Sequence, residues 1–106
     1  MKELSPVVLQ EIVERLIRGL QPEKIVLFGS HAYGEPHEAS DIDLLVVVTE
    51  TPEPQHKRAS QAYRGLRGLT APTEVIVLTH REAEQAATVP ASLVSQALQH
   101  GRVLYG

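Results

Sequence analysis

Residues 24–48 read KIVLFGSHAYGEPHEASDIDLLVVV, and this stretch carries most of the information about the fold. Its first five residues are short, apolar and rich in β-branched side chains, so they predict a buried strand that runs into Gly29 and Ser30. Residues 41–49 (DIDLLVVVT) predict a second strand, and its apolar second half is typical of a central strand covered on both faces. We therefore expect a sheet with helices on both sides.

The rest of the chain predicts elements that can cover such a sheet. The first is a helix that begins at Ser5-Pro6 and ends by Pro22, and a helical turn and loop follow around Gly34 and Pro36. Next come a helix over about 57–69, a third strand over 74–78 and a helix that begins with a Thr79/Glu82 capping box. The chain continues with a last helix from Pro90 to a C-terminal cap at Gly101 and an edge strand over 102–105. This order predicts an α/β fold, a small mixed sheet of three to four strands flanked by helices, in a single domain over 1–106. The short link between the first two strands leaves open whether it is hairpin-like or a crossover.

The composition narrows the classes of protein to consider. The chain has 106 residues, of which 42% are hydrophobic, which is enough for one core and argues against disorder. No apolar run approaches the ~18 residues of a membrane span, and no signal-peptide core is present, so we expect a cytoplasmic protein without a membrane partner. The absence of cysteine excludes a thiol nucleophile or a Cys-ligated metal. The net charge of −3 disfavours a nucleic-acid partner.

The acidic residues are distributed unevenly along the chain. Of 13 acids, 11 are Glu and 2 are Asp, and the two aspartates, Asp41 and Asp43, stand two positions apart. A strand has a side-chain period of two, so both carboxylates are expected on one face, with Glu74 at the start of the next strand. Carboxylates at neighbouring strand ends suit Mg²⁺, and a Gly-Ser turn lets the backbone approach a phosphate. Together these residues suit a nucleoside triphosphate and Mg²⁺, with two ions expected.

The segment GSHAYGEPHEASDIDLLVV resembles the signature G-S-x(10)-D-x-D of the DNA polymerase β-type nucleotidyltransferases. Gly29, Ser30, Asp41 and Asp43 match its four fixed positions without a gap. Downstream, TEVIVLTHREAEQ is similar to the strand that carries the family's third carboxylate, with Glu74 at that position. The resemblance covers most of the chain and implies the nucleotidyltransferase fold.

Its small size makes the chain resemble the minimal nucleotidyltransferases, because larger relatives add a helical domain for the acceptor. The resemblance implies an enzyme that transfers AMP from ATP to a tyrosine of a separate helical HEPN toxin, and so acts as its antitoxin. It also implies that Gly29 and Ser30 hold the β- and γ-phosphates and that Asp41 and Asp43 ligate both Mg²⁺ ions. Glu74 would complete one metal site and accept the proton of the acceptor hydroxyl.

Three departures from the family pattern keep other functions open. His31 and Tyr33 stand where the family often has Arg, and Glu74 stands where Asp is common. One alternative is a non-catalytic module with this fold that neutralises its partner by occlusion. Another is transfer to a small-molecule acceptor, with a homo-oligomer completing the site. The five histidines are scattered singly along the chain, which disfavours a histidine metal site.

Overall fold

A computed structural model describes residues 5–34 and 41–106. Helices and strands follow one another along these residues in the predicted order, with two consecutive helices before the last strand. The elements are α1 (Pro6–Leu20), β1 (Lys24–Phe28), α2 (Ser30–Tyr33), β2 (Ile42–Val48), α3 (Gln55–Gly65), β3 (Thr73–Thr79), α4 (His80–Ala87), α5 (Leu93–His100) and β4 (Arg102–Tyr105). None of the helices in this part of the chain is long and apolar enough to cross a membrane.

The four strands form one mixed sheet in the order β3-β2-β1-β4. Strand β1 runs antiparallel to both β2 and β4, whereas β2 and β3 are parallel. The link between the first two strands is therefore a hairpin-like return, which the sequence left open. Within that link, residues 35–40 lie outside the described part of the chain, and so does the expected loop position at Pro36.

Both faces of the sheet are covered, as the apolar second half of β2 predicts. On one face, α1 and α3 pack against side chains such as Ile25 and Leu44. On the other face, α4 and α5 pack against side chains such as Val26 and Leu45. Leu44 and Leu45 are both 0% exposed, although neighbouring side chains on a strand point to opposite faces. The predicted α/β fold class is confirmed.

Two helix boundaries differ from the prediction. The last helix begins at Leu93 and not at Pro90, because Ser92 caps it by accepting a hydrogen bond from the Ser95 N–H at 3.0 Å. The third helix covers Gln55–Gly65, several residues earlier than the predicted span of about 57–69. Its beginning is shifted because Pro54, with extended backbone, accepts the first helical hydrogen bonds.

Gly101 ends α5 for a different reason from the one predicted. Its φ of −72° is not left-handed, so backbone freedom does not explain the glycine. A Cβ at this position would lie only 2.7 Å from the Leu27 carbonyl oxygen and would also collide with the Ala97 carbonyl. Gly101 therefore allows α5 to turn into β4 directly against β1.

Candidate active site

Strand pairing brings the predicted site residues to one end of the sheet. Phe28 of β1 pairs with Asp43 of β2, and Asp43 pairs in turn with Glu74 of β3. Gly29 follows Phe28 directly, so the Gly-Ser turn lies beside the two carboxylates. Asp41 immediately precedes β2 at the same end. The structure thus juxtaposes residues that are widely separated along the chain.

The turn at Gly29 is shaped to receive the Asp43 carboxylate. Gly29 has a left-handed φ of 77°, and a Cβ there would collide with Asp43 Oδ2. The Gly29 carbonyl accepts the backbone N–H groups of Ala32 and Tyr33, each at 3.0 Å, which closes the short helix α2 that Ser30 begins. A glycine is needed both for the backbone conformation and for the close approach of the carboxylate.

A second glycine keeps the Ser30 turn compact. A Cβ on Gly34 would lie 2.7 Å from the Ser30 Cα, too close without a shift of the backbone. The two glycines therefore enclose Ser30 from both ends of α2. The family resemblance implies that Gly29 and Ser30 contact phosphate, and the structure adds that the turn is sterically tight.

The charges at this end of the sheet repel one another. Asp43 is half-buried, while Asp41 and Glu74 are exposed. Burial raises the pKa of the Asp43 carboxyl above its ordinary value, and the negative charges of Glu74 and Asp41 raise it further. The charge of His31 opposes this rise in the pKa of Asp43. His31 directly follows the Gly-Ser pair, at a position where the family often has Arg.

The three carboxylates supply the type of donor atom that a hard divalent cation prefers, although they are not closely grouped. Within residues 5–34 and 41–106, no three Asp, Glu or His side chains are grouped closely enough to form a metal-binding cluster. The carboxylates of Asp41, Asp43 and Glu74 nevertheless supply only oxygen donors, and their mutual repulsion is relieved by a positive charge. Asp43, which interacts with both neighbours, is the residue around which a cation would be held.

A wide cleft of about 750 Å³ lies at the opposite end of the sheet. Its walls include Thr49, Glu50 and Thr79, which follow or end the parallel strands β2 and β3, together with Glu23 and His80. The His80 Nδ1 atom lies 2.8 Å from Glu23 Oε1, so these charges already pair with each other. The carboxylates at the Gly-Ser turn, and not the size of this cleft, locate the candidate active site.

Comparison with known proteins identifies similar sequences. A family model described as a nucleotidyltransferase domain matches residues 9–104. The chain is 40% identical over 55 residues to MJ1215 of Methanocaldococcus jannaschii, which is assigned as a protein adenylyltransferase. That alignment covers 50% of this chain and 64% of the relative, so the chain spans slightly less than two thirds of that protein's length.

Two solved structures have a similar fold. A protein from Sulfolobus solfataricus, assigned as a nucleotidyltransferase, superposes with a TM-score of 0.60 at 30% identity, over 74% of this chain and 70% of that one. A mutant of the toxin–antitoxin MntA–HpeT, in which two aspartates are replaced by glutamates, superposes with a TM-score of 0.53. It is 20% identical over 92% of this chain and 72% of that one, so this second similarity concerns the fold alone.

Proposed function

The chain belongs to the nucleotidyltransferase domain family, and on this basis we propose that it transfers a nucleoside monophosphate, AMP from ATP, to a hydroxyl group. The observation that carries the proposal is the close approach of Asp43 to the Gly29 turn, with Glu74 paired alongside. A tight Gly-Ser turn and a row of carboxylates meet there. That combination suits a triphosphate and a divalent cation.

Each residue of the candidate site has a proposed role. The backbone at Gly29 and the hydroxyl and N–H of Ser30 hold the β- and γ-phosphates. Asp41 and Asp43 hold the divalent cations, Mg²⁺ by preference and two in number. When bound, such cations neutralise the triphosphate and lower the pKa of the acceptor hydroxyl. Glu74 completes the set on the acceptor side.

The proposed transfer forms one bond to phosphorus and breaks one. The acceptor oxygen forms a bond to the α-phosphorus, the bond between that phosphorus and the pyrophosphate oxygen breaks, and the acceptor proton passes to the Glu74 carboxylate. Positioning and charge stabilisation carry most of the rate in reactions of this type. The exposed side chain of Glu74 is accessible to an incoming acceptor.

We further propose that the acceptor is a tyrosine of a helical HEPN toxin and that the chain acts in the cytoplasm as its antitoxin. MJ1215 is assigned as a protein adenylyltransferase, and MntA–HpeT is a toxin–antitoxin. The assignment of MJ1215 supports a protein acceptor over a small molecule. The exposed approach to Glu74 agrees with an acceptor supplied by a separate chain.

The decisive experiment incubates the protein with ATP, Mg²⁺ and the product of the adjacent gene, and measures the intact mass of that product. We expect the addition of one AMP with the wild-type protein. Asp43→Asn removes a negative charge without changing shape, and we expect transfer to fall by about 100-fold or more. Glu50→Gln is the matched control, because Glu50 is an exposed acid just beyond the opposite end of β2. Equal transfer by both variants would contradict the proposal.

A non-catalytic binding module is the second candidate. His31 and Tyr33 stand where the family often has Arg, and Glu74 stands where Asp is common, and these departures favour it. Such a module would neutralise a toxin by covering it, so Asp43→Asn would still protect cells from the toxin while no AMP is transferred. If protection is lost together with transfer, catalysis is the means of neutralisation.

A further inference from the structure

Strand β3 lies at the edge of the sheet, and its outer edge faces α3. Two side chains of α3 reach the backbone there. The Tyr63 Oη accepts a hydrogen bond from the Val75 N–H at 3.0 Å, and the Arg58 Nη1 donates to the Val77 carbonyl at 3.3 Å. Backbone groups of alternate strand residues point to the same edge, which explains why both contacts fall on odd-numbered positions. Side chains thus take the place of a further strand.

Tyr63 contacts the residue that directly follows the third carboxylate of the candidate site. Val75 follows Glu74, and Glu74 pairs with Asp43 across the inner edge of β3. On that inner side, the Ile42 N–H donates to the Pro72 carbonyl at 2.9 Å and holds the beginning of β3 against β2. The backbone around Glu74 is therefore held by β2 on one side and by Tyr63 on the other.

The location of Glu74 makes such support important. It is the second residue of β3 and is exposed, and strand ends open locally more easily than strand centres. Glutamate also has a longer and more mobile side chain than aspartate, so a mobile backbone would leave its carboxylate poorly placed. We propose that Tyr63 is a positioning residue, which holds Glu74 beside Asp43 through the Val75 amide. The inference rests on the proposed function for the role of Glu74.

The backbone part of the inference is tested by amide hydrogen exchange in Tyr63→Phe. This variant keeps the ring and removes the acceptor atom, so we expect exchange at Val75 to accelerate about tenfold. Tyr105→Phe is the matched control, because the two tyrosines are similarly exposed, at 42% and 40%, and Tyr105 lies on the opposite edge strand. Unchanged exchange at Val75 in Tyr63→Phe would overturn the inference.

The positioning part is tested by magnesium titration and by kinetics. In Tyr63→Phe, we expect the Mg²⁺ concentration that half-shifts the Glu74 amide resonance to rise about fivefold, and kcat to fall about tenfold. The KM for ATP should stay within about twofold, because Gly29 and Ser30 are not moved. Thr79→Ala removes the N-cap of α4 and lowers stability without touching Glu74, so it should change neither the Mg²⁺ midpoint nor kcat.

The outcomes separate this inference from the proposed function. If the wild-type protein transfers no AMP but its Glu74 resonance responds to Mg²⁺ and that response weakens in Tyr63→Phe, the proposed function fails and the positioning role stands. If transfer is normal and Tyr63→Phe leaves kcat and the Mg²⁺ midpoint unchanged, the positioning role alone fails. If the Glu74 resonance of the wild-type protein does not shift on addition of Mg²⁺, the positioning role is also overturned.

Discussion

At the scale of single residues, Gly29 is required for two reasons, its backbone conformation and the space beside it, and these can be separated experimentally. Its φ of 77° is strained for any other residue, and a Cβ there would strike the Asp43 carboxylate. Gly68 shares only the left-handed backbone conformation: its φ is 94°, but no atom lies within 4 Å of a Cβ built there. The pair therefore distinguishes backbone strain from displacement of the carboxylate.

We expect Gly29→Ala and Gly68→Ala each to lower the free energy of unfolding by about 1–2 kcal/mol through the left-handed φ. Only Gly29→Ala should also abolish the binding of ATP with Mg²⁺, because the added methyl group displaces Asp43. Urea unfolding measures the first effect and titration calorimetry the second. Nucleotide binding by Gly29→Ala that matches Gly68→Ala would show that the close approach of Asp43 is not needed.

At the scale of elements, Arg58 joins α3 to its neighbours. It is 8% exposed and donates to the Glu53 carbonyl at 2.6 Å, to the Val77 carbonyl at 3.3 Å and to Glu82 Oε1 at 2.6 Å. The Arg58 side chain holds the pKa of Glu82 below its ordinary value, and the Thr79 N–H lowers that pKa further. One guanidinium thus connects the beginning of α3, the edge of β3 and the first turn of α4.

We expect Arg58→Met to lower the free energy of unfolding by about 2 kcal/mol, because two carbonyl groups and the Glu82 carboxylate lose their donor. The control is Lys57→Met, since the neighbouring Lys57 forms an exposed ion pair with Glu53 at 4.0 Å. Its removal should cost less than about 0.5 kcal/mol. Urea unfolding followed by circular dichroism measures both changes. Similar decreases in the free energy of unfolding would contradict the role of Arg58 in connecting α3, β3 and α4.

At the scale of the whole molecule, His80 connects α4 to the residue before β1, one of the two interior strands of the sheet. Its Nδ1 lies 2.8 Å from Glu23, which precedes β1, and its Nε2 contacts Glu84 of α4. Glu23 raises the pKa of His80 above 6.5, and Glu84 adds to the rise. The pKa of Glu23 is lowered below 4.5, first by a hydrogen bond with Thr49 and then by His80.

This contact makes stability depend on pH in a defined window. The contribution of His80 is complete below pH 6.5 and is lost as pH rises through its raised pKa. The contribution of Glu23 is complete above pH 4.5 and is lost as pH falls through its lowered pKa. We expect the melting temperature of wild type to exceed that of His80→Gln most between these values. The matched control is His56→Gln, at an exposed histidine of α3, and an equal loss of melting temperature in both variants would contradict the role of His80.

The order of the elements could be read from the sequence because helix caps, turns and hydrophobic periods are local. Ser5 caps α1, and Thr79 with Glu82 forms the capping box of α4, as their spacing predicts. Boundaries were less accurate where tertiary contacts compete with local signals. Gly101, predicted as the C-terminal cap of the last helix, is needed because it makes room for the backbone of β1.

The fold class could be predicted from local patterns along the chain, and the pattern of Gly29, Ser30, Asp41 and Asp43 could be recognised because these residues lie within one short segment. Which strands are neighbours, and in which register, depends on tertiary contacts. The parallel pairing of β2 with β3 places Glu74 beside Asp43, and the packing of α3 places Tyr63 on the outer edge of β3. These contacts join distant parts of the chain, and their geometry depends on how both faces of the sheet are packed.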